Sequence, residues 1–245
     1  MSDDESFIVQ PSDPAEIIRL KDSAALSEFL KDPRSVIAGV LIETFSQGPG
    51  AFTEPLIRVG VAALTGRVLE QFANEIKYFR EKGKIPDDWA EKPQGFQTWV
   101  ELLNAIDQDL PDEERIGALK AMFFAVNRVN VTDGQRIVAY QLFQIAKKLN
   151  SNELLVLKAV YGLFHRESQF RNNHFRDWAQ AVAKELGHSV LALIEIADKS
   201  LVDNQLLSPR QMSDYSGISS ANWRLTDFGI EFCQNVERYQ MDRKS

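Results

Sequence analysis

The chain has 245 residues, of which 44% are hydrophobic and 26% charged, and this composition indicates a globular protein rather than a disordered one. Its formal net charge of −7 argues against the basic footprint that most nucleic-acid-binding domains carry. The single cysteine, Cys233, excludes an intrachain disulfide and a thiolate metal cluster, and it favours a reducing compartment. The predicted location is therefore cytoplasmic.

The N-terminal region predicts neither a leader sequence nor a membrane span. Residues 1–14 begin with acids and contain two prolines, which predicts a flexible acidic tail rather than a signal peptide. The apolar stretch at residues 36–64 is interrupted by Glu43, by the turn at residues 47–50 and by Arg58, so it is too broken for a transmembrane helix. We expect it to form a buried helix pair, and the alternative is a self-association or lipid-contacting surface.

Residues 15–150 predict an antiparallel helical bundle. Residues 53–82 carry apolar side chains at spacings of three to five. Pro111 followed by three acids is a helix start, because proline and carboxylates suit the first turn. Thr132 and Gln135 have the spacing of a capping box at the start of the next helix. Short connections between such helices favour antiparallel neighbours.

Residues 151–245 predict a winged-helix-like module. Three helices are predicted at residues 152–165, 175–186 and 190–201, with Ser189 capping the third. Residues 205–209 and 221–226 read as two strands of a hairpin, and Thr226 then caps a closing helix. The predicted fold class is therefore mostly α: an N-terminal helical bundle followed by a winged-helix-like module with a two-stranded hairpin.

Four arginines are the candidate nucleic-acid-binding residues of this module. The third helix itself offers Glu195 and Asp198 against one cation, Lys199, and carboxylates repel phosphate, so we expect it to pack against the bundle or a partner. The arginines lie on the hairpin and around the second helix, where they could hold a phosphate backbone or simply be solvated: Arg210, Arg224, Arg176 and Arg171.

No catalytic or cofactor motif occurs in the chain. The three histidines lack the i, i+4 spacing of a metal pair, and the glycine turn at residues 47–50 lacks the Lys-Ser/Thr of a phosphate loop. Neither Gly-x-Ser-x-Gly nor His-Glu-x-x-His is present. We therefore expect no enzymatic activity, no metal and no cofactor.

The C-terminal segment carries two resemblances. Residues 223–229, Trp-Arg-Leu-Thr-Asp-Phe-Gly, resemble the passage from wing strand to helix in winged-helix domains of bacterial regulators. Residues 225–233 end in Phe-Cys, and together with the preceding bundle and residues 149–157 they resemble the bacterial abortive-infection alpha family. That resemblance implies a role in phage defence and supplies no functional residues.

These observations lead to two functional hypotheses. The first is a non-enzymatic bacterial interaction or regulatory protein in a stress or phage response, whose module binds a protein or forms a homo-oligomer. The alternative is a sequence-specific DNA-binding regulator with Arg210 and Arg224 on phosphate.

Overall fold

The computed structural model describes residues 54–108, 112–166, 169–170, 175–187, 190–210 and 220–244. These residues form eight α-helices, which confirms that the protein is mostly α. The helices are α1 (Glu54–Glu81), α2 (Pro93–Gln108), α3 (Glu113–Val126), α4 (Asp133–Ala146), α5 (Ser151–Arg166), α6 (Phe175–Glu185), α7 (Leu191–Asp203) and α8 (Asp227–Lys244). Two strands of two residues, β1 (Gln169–Phe170) and β2 (Ser220–Ala221), and a 3-10 turn (Asn222–Arg224) complete them. The predicted tail at residues 1–14 and the apolar stretch up to residue 53 lie outside the described residues.

Helix starts follow the local sequence. The Asp112 side chain caps α3, accepting from the backbone N–H of Glu114 at 3.0 Å and of Arg115 at 3.4 Å. Thr132 and Gln135 make the predicted capping box, since each side chain accepts from the backbone N–H of the other, at 3.3 and 2.9 Å. These caps satisfy backbone donors that no helical carbonyl can reach.

An aromatic core joins α1, α2 and α3. Phe72 of α1 stacks on Trp99 of α2 at 5.7 Å between ring centroids and meets Phe123 of α3 edge-on at 5.0 Å. Phe79 stacks on Phe124 at 4.1 Å. Edge-to-face and offset contacts of this kind add to the stabilisation that burial alone supplies.

Helix α8 packs back onto this core. The Tyr239 ring stacks on Phe124 at 5.5 Å, and its hydroxyl donates to Glu75 Oε2 at 2.7 Å. Lys120 Nζ lies 3.2 Å from the same Glu75 oxygen, and Arg243 Nε lies 3.3 Å from Oε1. Burial raises the pKa of Tyr239 and lowers the pKa of Lys120, although Glu75 opposes the change at Lys120. The predicted boundary between two domains at residue 150 stays a prediction. The contacts around Glu75 join α1 and α3, which precede that boundary, to α8, which follows it.

The predicted two-stranded hairpin is wrong. Residues 205–209 and 221–226 meet at a single bridge, between Leu207 and Leu225, and the second segment is interrupted by the 3-10 turn. Strand β2 pairs instead with β1, antiparallel, with Gln169 opposite Ala221. Within the described ranges the hairpin of a winged-helix module is therefore not formed.

The physical reason lies in two consecutive residues of the turn. Trp223 and Arg224 have φ angles of 55° and 68°, in the left-handed region that strands do not use. Both side chains are buried. Successive side chains of a strand point to opposite faces, so a strand at this position could not bury Trp223 and Arg224 on the same side. Arg224 turns inward because it has a buried partner, described below.

The start of α8 explains the Leu-Thr-Asp-Phe-Gly motif. The Thr226 hydroxyl accepts from the Gly229 N–H at 3.0 Å, which confirms the predicted cap, and it donates to the Gln205 carbonyl at 2.6 Å. The Leu206 carbonyl approaches so closely that a Cβ atom at Gly229 would lie 2.2 Å from its oxygen. Glycine is therefore required at residue 229 by a close backbone approach.

Changing Gly229 to alanine tests this approach. Because the obstacle is backbone, we expect Gly229→Ala to lower the free energy of unfolding by about 1–3 kcal/mol. Gly117→Ala in α3 is the matched control, because nothing lies within 4 Å of its Cβ position. There alanine should stabilise by about 0.5–1 kcal/mol. Urea denaturation followed by circular dichroism measures both, and two changes of the same sign would contradict the close approach.

Candidate functional site

Helix α7 buries one face and exposes the other. Its buried residues are Ile194, Ala197, Asp198 and Leu201, whose spacing of three and four places them on one side of a helix. The helix ends where Asn204 Nδ2 donates to the Ser200 carbonyl at 2.9 Å. The buried face contacts α5 and α6. A charged residue, Asp198, thus sits among the apolar residues of this face.

Asp198 is the centre of a buried ion-pair group, which we call the Arg224 cluster. Asp198 Oδ1 accepts from Arg224 Nη1 at 2.7 Å, and Oδ2 accepts from Arg210 Nε at 3.0 Å. Arg224 also donates from Nε and Nη2 to the Ser208 carbonyl, at 3.1 and 2.7 Å. Its guanidinium lies 4.9 Å from the centre of the Trp178 ring, a cation–π contact. The cluster therefore joins α6, α7 and the turn before α8.

The two arginines of the cluster differ in exposure. The Arg224 side chain is 0% exposed, whereas that of Arg210 is 37% exposed. Burial lowers the pKa of Arg224, and the neighbouring Asp198 charge opposes this change. An arginine starts so far above neutrality that the buried guanidinium stays charged. Arg224 needs its carboxylate, because an unpaired buried charge is strongly unfavourable.

The four candidate nucleic-acid-binding arginines occupy different environments. Arg224 has no exposed side-chain surface for a phosphate in this arrangement, and Arg210 shares the Asp198 carboxylate. Arg176 is exposed on α6, and Arg171 lies outside the described residues. The structure thus brings Arg210 and Arg224 together on one carboxylate. Phosphate binding by the four arginines stays a prediction, and for Arg224 it would require a different arrangement of the cluster.

A groove of about 520 Å³ runs beside α7 over the Arg224 cluster. Charged residues of both signs line it: Glu195, Asp198, Lys199, Asp203, Arg210 and Arg224. Asp198 and both arginines are already engaged with one another. The groove therefore presents a mixed charge pattern rather than a field of one sign for a polyanion.

The opposite flank of α7 is apolar and exposed. Val190, Leu193 and Ile196 are 51%, 41% and 64% exposed. Asn152 of α5 donates from Nδ2 to the Leu193 carbonyl at 3.1 Å, and the exposed Leu155 follows one turn later on α5. We call Val190, Leu193, Ile196 and Leu155 the α7 patch. Sequence reasoning missed it, although Ile196 lies about 200° around the helix from the buried Asp198.

A second polar group joins α2 to α4 around Glu101. Glu101 accepts from Lys147 at 2.8 Å, Gln144 at 2.5 Å, Tyr140 at 2.7 Å and Gln97 at 3.0 Å. Burial by itself raises the pKa of Glu101, but these four donors outweigh it and lower the pKa to about 2. Burial and the Glu101 carboxylate raise the pKa of Tyr140 to about 12.

Cys233 and the histidines are the other side chains that could act as nucleophiles or metal ligands. Burial raises the pKa of the Cys233 thiol, which keeps it protonated and poorly nucleophilic. His165 is exposed, with its ring edge-on to Tyr161 at 4.4 Å, and His174 and His188 lie outside the described residues. Among the residues that the structure describes, no three His, Cys, Asp or Glu side chains could hold a metal ion together. None of the described helices could span a bilayer.

Substitution at Asp198 tests the Arg224 cluster. Asp198→Ala leaves the buried Arg224 charge without its carboxylate, so we expect the free energy of unfolding to fall by roughly 3–5 kcal/mol. Arg210→Ala removes the half-exposed partner of the same carboxylate and should lower it by about 1 kcal/mol or less. Urea denaturation compares the two, and equal effects would mean that the buried pair is not the dominant contact.

The Glu101 group predicts a pH dependence of stability. Because the folded-state pKa of about 2 lies below the ordinary value of 4.5 for a glutamate, this stabilisation is present above about pH 4.5 and is lost as the pH falls toward 2. Allowing for solvent screening, we expect the loss to be roughly 1–2 kcal/mol. Glu101→Gln should flatten the stability curve over that interval, as measured by urea denaturation at stepped pH. A wild-type slope in the variant would contradict the assignment.

The chain matches no protein-family model, no curated protein and no solved structure. The resemblances of residues 223–229 and 225–233 therefore stay predictions. The α7 patch and the Arg224 cluster that positions it are the features on which a functional proposal can rest.

Proposed function

We propose that this chain is a non-enzymatic interaction protein that binds another protein molecule through the α7 patch. The observation that carries the proposal is the exposure of three apolar residues of one helix whose other side is buried: Val190 at its N-cap, and Leu193 and Ile196 on its solvent side. Contiguous exposed apolar side chains on a folded protein mark interaction surfaces. Covering a fully exposed Leu or Ile stabilises a complex by about 1.5–3 kcal/mol, so each of these half-exposed side chains would contribute about 1 kcal/mol.

The rigidity of α7 supports the proposal. Asp198 is held by two arginines, so the helix cannot rotate about its axis without breaking a buried ion pair. A surface that is already ordered loses little conformational entropy on binding. The α7 patch is therefore preorganised for a partner.

The charges beside the patch favour a protein over a nucleic acid. Glu195, Lys199 and Asp203 are exposed on α7, two acids to one cation. Carboxylates repel a phosphate backbone, whereas a protein surface offers charges of both signs. The wider proposal, a regulatory role in a bacterial stress or phage response, is supported by the resemblance of residues 225–233 alone.

A photo-crosslinking residue placed at position 196 tests the proposal in the cells that carry the protein. The matched control is position 137, an isoleucine of α4 that is 55% exposed outside the patch. We expect a crosslinked protein adduct from position 196 and none from position 137, because only the first lies in a binding surface. Gel mobility and mass spectrometry of the adduct give the readout.

Two results of this experiment would contradict the proposal. The first is no adduct from position 196 at native expression levels. The second is the same adducts from both positions, which would indicate random encounters. Ile196 is exposed, so replacing it leaves the core intact, and thermal unfolding of the purified variant checks this.

A further inference from the structure

We infer that the partner of the α7 patch is a second copy of this chain, bound with the two α7 helices antiparallel about a two-fold axis. The inference rests on the proposed function and adds the identity of the partner. Helix α7 carries two opposite charges, Glu195 and Lys199, on either side of Ile196 in the sequence. These positions make the helix complementary to itself.

The outward face of α7 follows from its buried face. Successive helical residues are about 100° apart, so the side opposite Ile194, Ala197, Asp198 and Leu201 carries residues 192, 196, 199 and 203. Glu195 and Lys199 then lie one turn apart on one flank of that face. Leu193 lies on the other flank, and Ile196 lies between the two flanks. The four side chains on these flanks and between them are exposed: Leu193, Glu195, Ile196 and Lys199.

An antiparallel pair with its axis level with residue 197 joins these groups. The two-fold operation places residue 195 of one copy level with residue 199 of the other, and it keeps each flank facing the same flank. Glu195 of each copy then faces Lys199 of the second copy, which gives two equivalent ion pairs. Ile196 lies one residue from the axis, so the two isoleucines are offset by only about 3 Å along the helices.

The charge at the end of α7 fits the same arrangement. The axis at residue 197 places Asp203 level with residue 191 of the second copy, in the first turn of α7. Val190 occupies the N-cap position there. A carboxylate near the start of a helix is favourable because it faces the positive end of the helix dipole.

A parallel pair lacks this complementarity. A two-fold axis along the helices exchanges the two flanks, so Glu195 and Lys199 of one copy would face the Leu193 flank of the other and meet no opposite charge. An interface between identical copies must be self-complementary, whereas a surface for a different protein need not be. The order of Glu195, Ile196 and Lys199 on α7 meets that stricter condition in the antiparallel arrangement.

Sedimentation of the purified full-length chain over a range of concentrations tests the inference. We expect a reversible dimer with a dissociation constant on the order of 10–100 μM, because a patch of this size makes a weak interface. Glu195→Lys alone and Lys199→Glu alone should each weaken the dimer roughly tenfold, since each replaces two attractive contacts by two repulsive ones. The double variant should restore the dissociation constant to within about threefold of wild type.

Glu91→Lys is the matched control, because it makes the same change in net charge at an exposed residue away from α7. It should leave the dissociation constant unchanged. Circular dichroism checks that each variant is folded. A monomer at every concentration, or a dimer indifferent to both single changes, overturns the inference. A monomer whose position 196 crosslinks to a different protein overturns the second copy while leaving the proposed function intact.

Discussion

The structure of the C-terminal part depends on the contact between Asp198 and Arg224. A guanidinium with no exposed surface is tolerated only when its charge is paired with an opposite charge and its N–H groups donate hydrogen bonds. Asp198 supplies the charge, and the Ser208 carbonyl accepts two further hydrogen bonds. The backbone reaches this arrangement through two left-handed residues, Trp223 and Arg224. These conformations are unfavourable for residues other than glycine, and the ion pair of Arg224 with Asp198 stabilises them.

The same contact determines what α7 shows to solvent. Turning Asp198 inward fixes the rotation of the helix, and a helix that buries residue 198 must present residue 196 on its far side. The buried charge and the exposed isoleucine are therefore two outcomes of one rotational constraint. The proposed interaction surface is therefore positioned by a charge that is itself buried.

The sequence predicts the local features of this fold well. The capping box of Thr132 and Gln135 and the cap at Thr226 depend on residues three apart, and the structure contains both. The prediction of the hairpin was wrong because a distant contact, and not the local pattern, determines the conformation there. Alternation of Trp223 and Leu225 with polar neighbours is a local pattern, whereas the conformation of Arg224 is set by a carboxylate 26 residues away.

The candidate site was predictable in part. Asp198 shares its spacing with Ile194, Ala197 and Leu201, so its place on the buried face could have been read from the sequence. That assignment also predicts Ile196 on the exposed face. The identity of its partner could not be read in this way, because no periodicity connects α7 with the turn before α8.

The contact between Glu75 and Tyr239 has a consequence for synthesis of the chain. The two residues are 164 positions apart, so at roughly 5–20 residues per second the ribosome needs about 10–30 s to pass from one to the other. During that interval Phe79 and Phe124 lack the ring that stacks on both of them. A nascent chain of this protein therefore displays an incomplete aromatic core until α8 emerges, and a chaperone that recognises exposed aromatic side chains has that long to act.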